Sequence, residues 1–138
     1  MNFKIDLMQK LNTKKDYNNL SKLILFCIEN NKKNVYFEIN NQICNMITFN
    51  KFDFLEKILN EQISLKKVKP FFESINKFIE IKFHENQNIC YNLIQSLINE
   101  DFDIPQNNWL SYLDLIFESK DTSIIFKYSK IFKIMVKL

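Results

Sequence analysis

The chain of 138 residues contains no glycine, no alanine and no arginine. Without glycine there can be no phosphate-cradling P-loop, no dinucleotide fingerprint and no nucleophile elbow, because each needs a backbone that only glycine adopts or a close approach that only glycine allows. Without arginine there is no planar fork for bidentate phosphate contacts, and all 19 basic residues are lysines. The missing glycine also removes the residue that most easily takes a left-handed turn, so asparagine is expected to end helices and carry tight turns. Asparagines do fall at the expected breaks: Asn30–Asn31, Asn34, Asn50, Asn86, Asn99 and Asn107–Asn108. Lacking glycine and alanine, helices must pack through Phe, Ile and Leu across wider gaps.

Other chemistry is scarce too. The single histidine, His84, has Glu80 one turn earlier and Glu85 beside it, but no cysteine or aspartate completes a metal set at suitable spacing. Paired with Cys90 it would still lack a third group and an oxyanion hole. Cys27, Cys44 and Cys90 are odd in number, have no CxxC spacing and lie on or beside apolar faces. They read as reduced, buried thiols of a reducing compartment. No catalytic role, cofactor or metal is expected. The longest apolar run, Leu23 to Ile28, is too short to span a membrane. The opening MNFKIDLMQKLN lacks a signal-peptide core, and Asp6 with no arginine argues against a transit peptide, so a cytoplasmic location is expected.

What is abundant points to the gene. Phe, Tyr, Met, Ile, Asn and Lys supply 81 of the 138 residues. These are the amino acids of AT-rich codons, which suggests an organelle, a parasite or endosymbiont, or a mobile bacterial cassette. The hydrophobic fraction, 46%, is ordinary for a globular chain, and the length suits a single domain over residues 1–138.

Periodicity organises that domain. From Pro70 to Asn99, apolar residues fall at helical spacing (Phe71, Phe72, Ile75, Phe78, Ile79, then Ile81 or Phe83), break at His84–Gln87 and resume at Ile89, Cys90, Leu93, Ile94, Leu97 and Ile98. This is the signature of two short amphipathic helices and a tight turn. Helical patterns restart at Val35, Pro70 and Pro105, 35 residues apart. A first helix is expected with Phe3, Leu7, Met8 and Leu11 inward, and a second, capped by Asp16, with Tyr17, Leu20, Leu23, Ile24, Cys27 and Ile28. The third buries Tyr36, Ile39, Ile43, Met46 and Ile47. The fourth, capped by Asp53, buries Phe54, Leu55, Ile58, Leu59 and Ile63. The seventh starts at Pro105 and carries Trp109, Leu110, Leu113, Ile116 and Phe117. The eighth, capped by Asp121, carries Ile124, Ile125, Tyr128, Ile131, Phe132 and Met135. The expectation is an all-α fold of about eight short antiparallel helices, four hairpins over about 1–34, 35–69, 70–104 and 105–138, forming a solenoid-like array or a compact bundle.

A hairpin period of 34–35 residues resembles tetratricopeptide and pentatricopeptide repeats. Those families place glycine and alanine where helices touch, and this sequence has neither, so the resemblance implies stacked-hairpin geometry and no functional residues.

Charge is unevenly spread. Residues 1–34 carry a net +4, 35–69 a net +1, 70–104 a net −4 and 105–138 a net +2. The third segment is an acidic island of Glu73, Glu80, Glu85, Glu100, Asp101 and Asp103, with Glu73 and Glu80 on one helix face. It is the candidate binding site for a basic protein partner. It also interrupts the basic groove that a single nucleic-acid strand would follow. In size, composition and lack of motifs the chain resembles small bacterial immunity proteins. That resemblance implies an inhibitor that masks a toxin domain, plausibly a basic nuclease, through its acidic surface. The competing expectation is an organellar helical-repeat protein that binds RNA or a ribosome through the lysines of the first and last segments. A third is an orphan enzyme subunit.

Overall fold

The computed structural model describes residues 2–119. These residues are all-helical, with no β-strand among them. The helices are α1 (Phe3–Thr13), α2 (Tyr17–Glu29), α3 (Tyr36–Thr48), α4 (Phe52–Ser64), α5 (Phe72–Lys82), α6 (Gln87–Asn99) and α7 (Gln106–Glu118). Short 3₁₀ turns, Lys33–Val35 and Lys69–Phe71, lead into α3 and α5. The expected eighth helix, with its Asp121 cap, lies outside the described residues.

Element bounds recur at 35 residues. Helices α2, α4 and α6 each run 13 residues and begin at 17, 52 and 87. Helices α3 and α7, also 13 residues each, begin at 36 and 106, two periods apart. Helices joined by short turns touch each other (α1 with α2, α3 with α4, α5 with α6). Even-numbered helices also touch in succession, as do odd-numbered ones. Between the two rows lies one continuous apolar cluster, which includes Leu20, Ile39, Ile58, Phe78 and Leu93.

The helix ends explain how a chain without glycine makes these joints. Lys15, Asn31, Asn50, Lys66 and Asp101 all have φ of 55 to 57°. Each lies two residues past a helix end, where a left-handed residue reverses the chain. The following N–H then returns to a carbonyl five residues back: Asp16 to Leu11 (2.9 Å), Lys32 to Cys27 (2.9 Å), Lys51 to Met46 (2.9 Å), Lys67 to Gln62 (2.8 Å) and Phe102 to Leu97 (2.9 Å). Asparagine takes two of the five positions. Lysine and aspartate take the rest, although their Cβ atoms make this conformation cost about 1–2 kcal/mol each.

Neighbouring odd helices are keyed by asparagines. The Asn40 amide oxygen in α3 accepts from the Ser74 hydroxyl (2.7 Å) and N–H (3.4 Å) of α5. The Asn76 amide oxygen in α5 accepts from the Tyr112 hydroxyl (2.6 Å) and the Asn108 amide (3.2 Å) of α7.

Several expected positions need correction. Phe3, Ile81, Leu110 and Phe117 are exposed rather than core. Phe83 fills the place at the end of α5, and α7 buries Trp109, Tyr112 and Ile116. Asp16 does cap α2, accepting the Asn19 N–H at 3.3 Å. Asp53 instead lies inside the first turn of α4, whose N-cap is Lys51. Pro70 belongs to the 3₁₀ turn before α5, and Pro105 is the N-cap of α7.

Candidate functional site: the outer face of α3, α5 and α7

The odd-numbered row presents a face made of residues at helical spacing. In α3, Phe37, Asn41 and Thr48 are exposed along one side with half-buried Cys44 between them. In α5 the exposed residues are Glu73, Glu80 and Ile81, and in α7 they include Leu110, Asp114 and Phe117. These three helices touch in succession, so the strips adjoin. Carboxylates and large apolar side chains therefore alternate across one surface; Phe37 is 75% exposed and Phe117 68%.

The local electrostatics leave the carboxylates without cations. Lys77, the lysine between Glu73 and Glu80, turns towards α3 and donates to the Thr48 hydroxyl (3.0 Å) and the Cys44 carbonyl (3.5 Å). Among the described residues Lys82 pairs with Glu85 (4.0 Å) and the His84 Nε2 lies 3.6 Å from the Glu118 carboxylate, and neither Lys82 nor His84 pairs with Glu73, Glu80 or Asp114. A shallow groove of about 340 Å³ between α5 and α7 is lined by Glu80, Ser111, Asp114 and Leu115. The Cys44 thiol is raised above its ordinary value, first by burial, then lowered by Lys77 and raised by Glu73, which places both charges near it.

The six acidic residues singled out from sequence do not form one patch. Glu73 and Glu80 are both exposed on α5, about 10 Å apart along its axis. The rings of Phe72 and Phe102 meet at 4.5 Å, which brings the connector bearing exposed Asp101 and Asp103 to the start of α5, beside Glu73. Glu85 lies in the turn after α5, paired with Lys82. Glu100 points inward instead: its carboxylate accepts the N–H groups of Val68 (3.0 and 3.1 Å) and Lys69 (3.1 Å) at the entry to α5. Asp114 joins the face although counting charge by segment passes over it. It lies 34 residues after Glu80, close to one period, and placing carboxylates on the repeat would have found it.

Among the described residues no group of three or more His, Cys, Asp or Glu could hold a metal ion. No helix among them is long and apolar enough to cross a membrane. Compared with protein-family models, curated proteins and solved structures, the chain matches none.

Proposed function

We propose that this chain is a non-catalytic protein-binding module, an array of antiparallel helical hairpins of the tetratricopeptide length class. Within that class we read it as a cytoplasmic immunity or inhibitor protein that covers a toxin domain, plausibly a basic nuclease. The observation that carries this reading is the unpaired state of Glu73, Glu80 and Asp114 on a face that also exposes Ile81, Leu110 and Phe117. Apolar anchors with uncompensated charge between them resemble a protein interface, where the apolar contacts supply affinity and the charges select the partner's sign and speed encounter. Asp101 and Asp103 extend the negative field at the start of α5. Glu100 stands apart from this role as a structural cap.

The alternative, an RNA- or ribosome-binding repeat protein, draws on exposed Lys33, Lys66 and Lys69 in the loops before α3 and α5. The corresponding third connector carries Asp101 and Asp103, so the sign reverses where a nucleic-acid strand would continue.

The test is a paired measurement of melting temperature and of affinity for whatever protein is encoded beside this gene or co-purifies with it. Reversing Glu73, Glu80 and Asp114 to lysine should weaken binding at least about 30-fold, the effect of a charged hot spot. Stability should move by less than about 0.5 kcal/mol, as for exposed sites generally. Unchanged affinity in the reversal variant, with loss of binding on reversing Lys33, Lys66 and Lys69, would replace this reading with the RNA or ribosome one.

A further inference from the structure

A second surface, away from the α3–α5–α7 face, repeats itself. A groove of about 280 Å³ between the α1–α2 turn and the α3–α4 turn is lined by Asn12, Lys15, Tyr17, Phe49 and Lys51. A groove of about 340 Å³ joins the α3–α4 turn to the α5–α6 turn, with Asn50, Phe52 and Asn86 on its walls and Leu55 and Phe78 beneath. Adding 35 to Lys15, Tyr17 and Lys51 gives Asn50, Phe52 and Asn86. The two grooves thus share three equivalent positions, while Lys82 and Glu85 line the second alone. In each an aromatic ring at the start of an even helix faces the left-handed residue of its own turn and a residue from the next turn.

The chemistry of the grooves selects an occupant. The first has two lysines and no carboxylate on its walls, and the Lys51 ammonium already sits 4.9 Å from the centre of the Tyr17 ring. Asp16, the nearest acid in sequence, is turned to the first turn of α2 and accepts from Asn19. In the second groove Lys82 is answered by Glu85 at 4.0 Å and by the Asn50 side chain. Negative charge is therefore wanted at the first groove and an apolar side chain at both.

Spacing fixes the shape. Packed helices lie about 8–10 Å apart, which sets the step from one groove to the next. A polyproline II strand has three residues per turn and rises about 3.1 Å per residue, so every third side chain points the same way about 9 Å on. We propose that this turn edge binds an extended acidic peptide in the polyproline II conformation, with apolar side chains three residues apart seated in the two grooves. It is a surface separate from the one proposed above for a folded basic partner, and it stands or falls independently of that reading.

The probe is a synthetic peptide of three Pro-Asp-Phe triplets, blocked at both ends, titrated into the ¹⁵N-labelled protein. Saturable amide shifts should centre on Lys15, Tyr17, Asn50 and Phe52. Two control peptides, one with phenylalanines spaced by two and one with lysine for aspartate, should each bind about tenfold more weakly or worse. The double variant Lys15→Gln with Lys51→Gln should lose about tenfold, as expected for two charge contacts at the surface. Phe49→Ser, at a side chain 60% exposed, should weaken binding while leaving the circular dichroism spectrum unchanged. No saturation by about 1 mM, equal binding of the lysine peptide, or indifference to spacing each overturns the proposal.

Discussion

Glu100 and Val68, 32 residues apart, are joined by a carboxylate that receives one backbone N–H on both oxygens, at 3.0 and 3.1 Å. The N–H of Lys69 shares the same carboxylate at 3.1 Å. The start of the 3₁₀ turn before α5 has no side-chain cap of its own. A residue at the end of α6 supplies what a local serine or aspartate would normally provide.

Glu100→Ala should therefore destabilise the fold by about 1–2 kcal/mol, the usual range for losing a cap. Glu100→Gln, which keeps one acceptor oxygen, should lose less. Urea unfolding checks both. Ala substitutions at exposed Asp103 or Glu73 should be nearly silent in the same assay.

The left-handed joints offer the opposite effect. Lys15→Gly and Lys66→Gly should each raise stability by about 0.5–1 kcal/mol, relief of the Cβ clash being partly offset by a freer unfolded chain. Lys66→Ala keeps a Cβ and should gain nothing. A rise in melting temperature for alanine equal to that for glycine would count against the strain explanation.

Gln62 is fully buried in α4, and neither atom of its amide has a partner. One period earlier and later, the same position holds Cys27 and Leu97, both buried and apolar. Gln62→Met fills a similar volume without desolvating an amide. It should stabilise the protein by about 1–3 kcal/mol, read from the urea midpoint at constant slope.

Burial pushes the Cys90 thiol from its ordinary 9.0 up to about 12. At pH 8 its reactive thiolate is then a fraction of about 10⁻⁴, so iodoacetamide should modify half-buried Cys44 first and leave Cys90 until the protein unfolds. The same shift sets a pH dependence. Below pH 9 the thiol is protonated in both states and the stability is fully present. Between 9 and 12 the unfolded chain releases the proton and the folded one does not, so stability falls as pH rises, by at most about 1.4 kcal/mol per unit from this group. Replacing Cys90 with serine should flatten that part of the profile.

The helices were legible because the even ones keep a strong apolar stripe: Leu20, Ile24, Cys27 and Ile28 in α2, and Leu55, Ile58 and Leu59 in α4, are all buried. Direction was harder to read in α7. Trp109 and Ile116 are buried as expected, but the helix is turned so that Tyr112 joins them inward while Leu110 and Phe117 face outward. What turns it is the Tyr112 hydroxyl reaching Asn76 at 2.6 Å, a contact 36 residues distant. The acidic candidates divided for a similar reason. Nothing local to Glu100 marks it as a cap, since its donors lie in another helix pair. A count of charges per segment could not separate it from Glu80, and it left out Asp114.

Asn40 and Asn76 bear on the order in which the molecule is made. In both cases the acceptor oxygen belongs to the earlier helix and the donors come from the next odd helix, one period later. As the chain leaves the ribosome, each new unit meets a docking point already in place, and it follows after 35 residues, about 2–7 s at ordinary elongation rates. No helix need wait for a distant terminus to find its neighbour. Assembly can keep pace with translation, one unit at a time, with α5 and α7 each set in register by an asparagine synthesised a few seconds before.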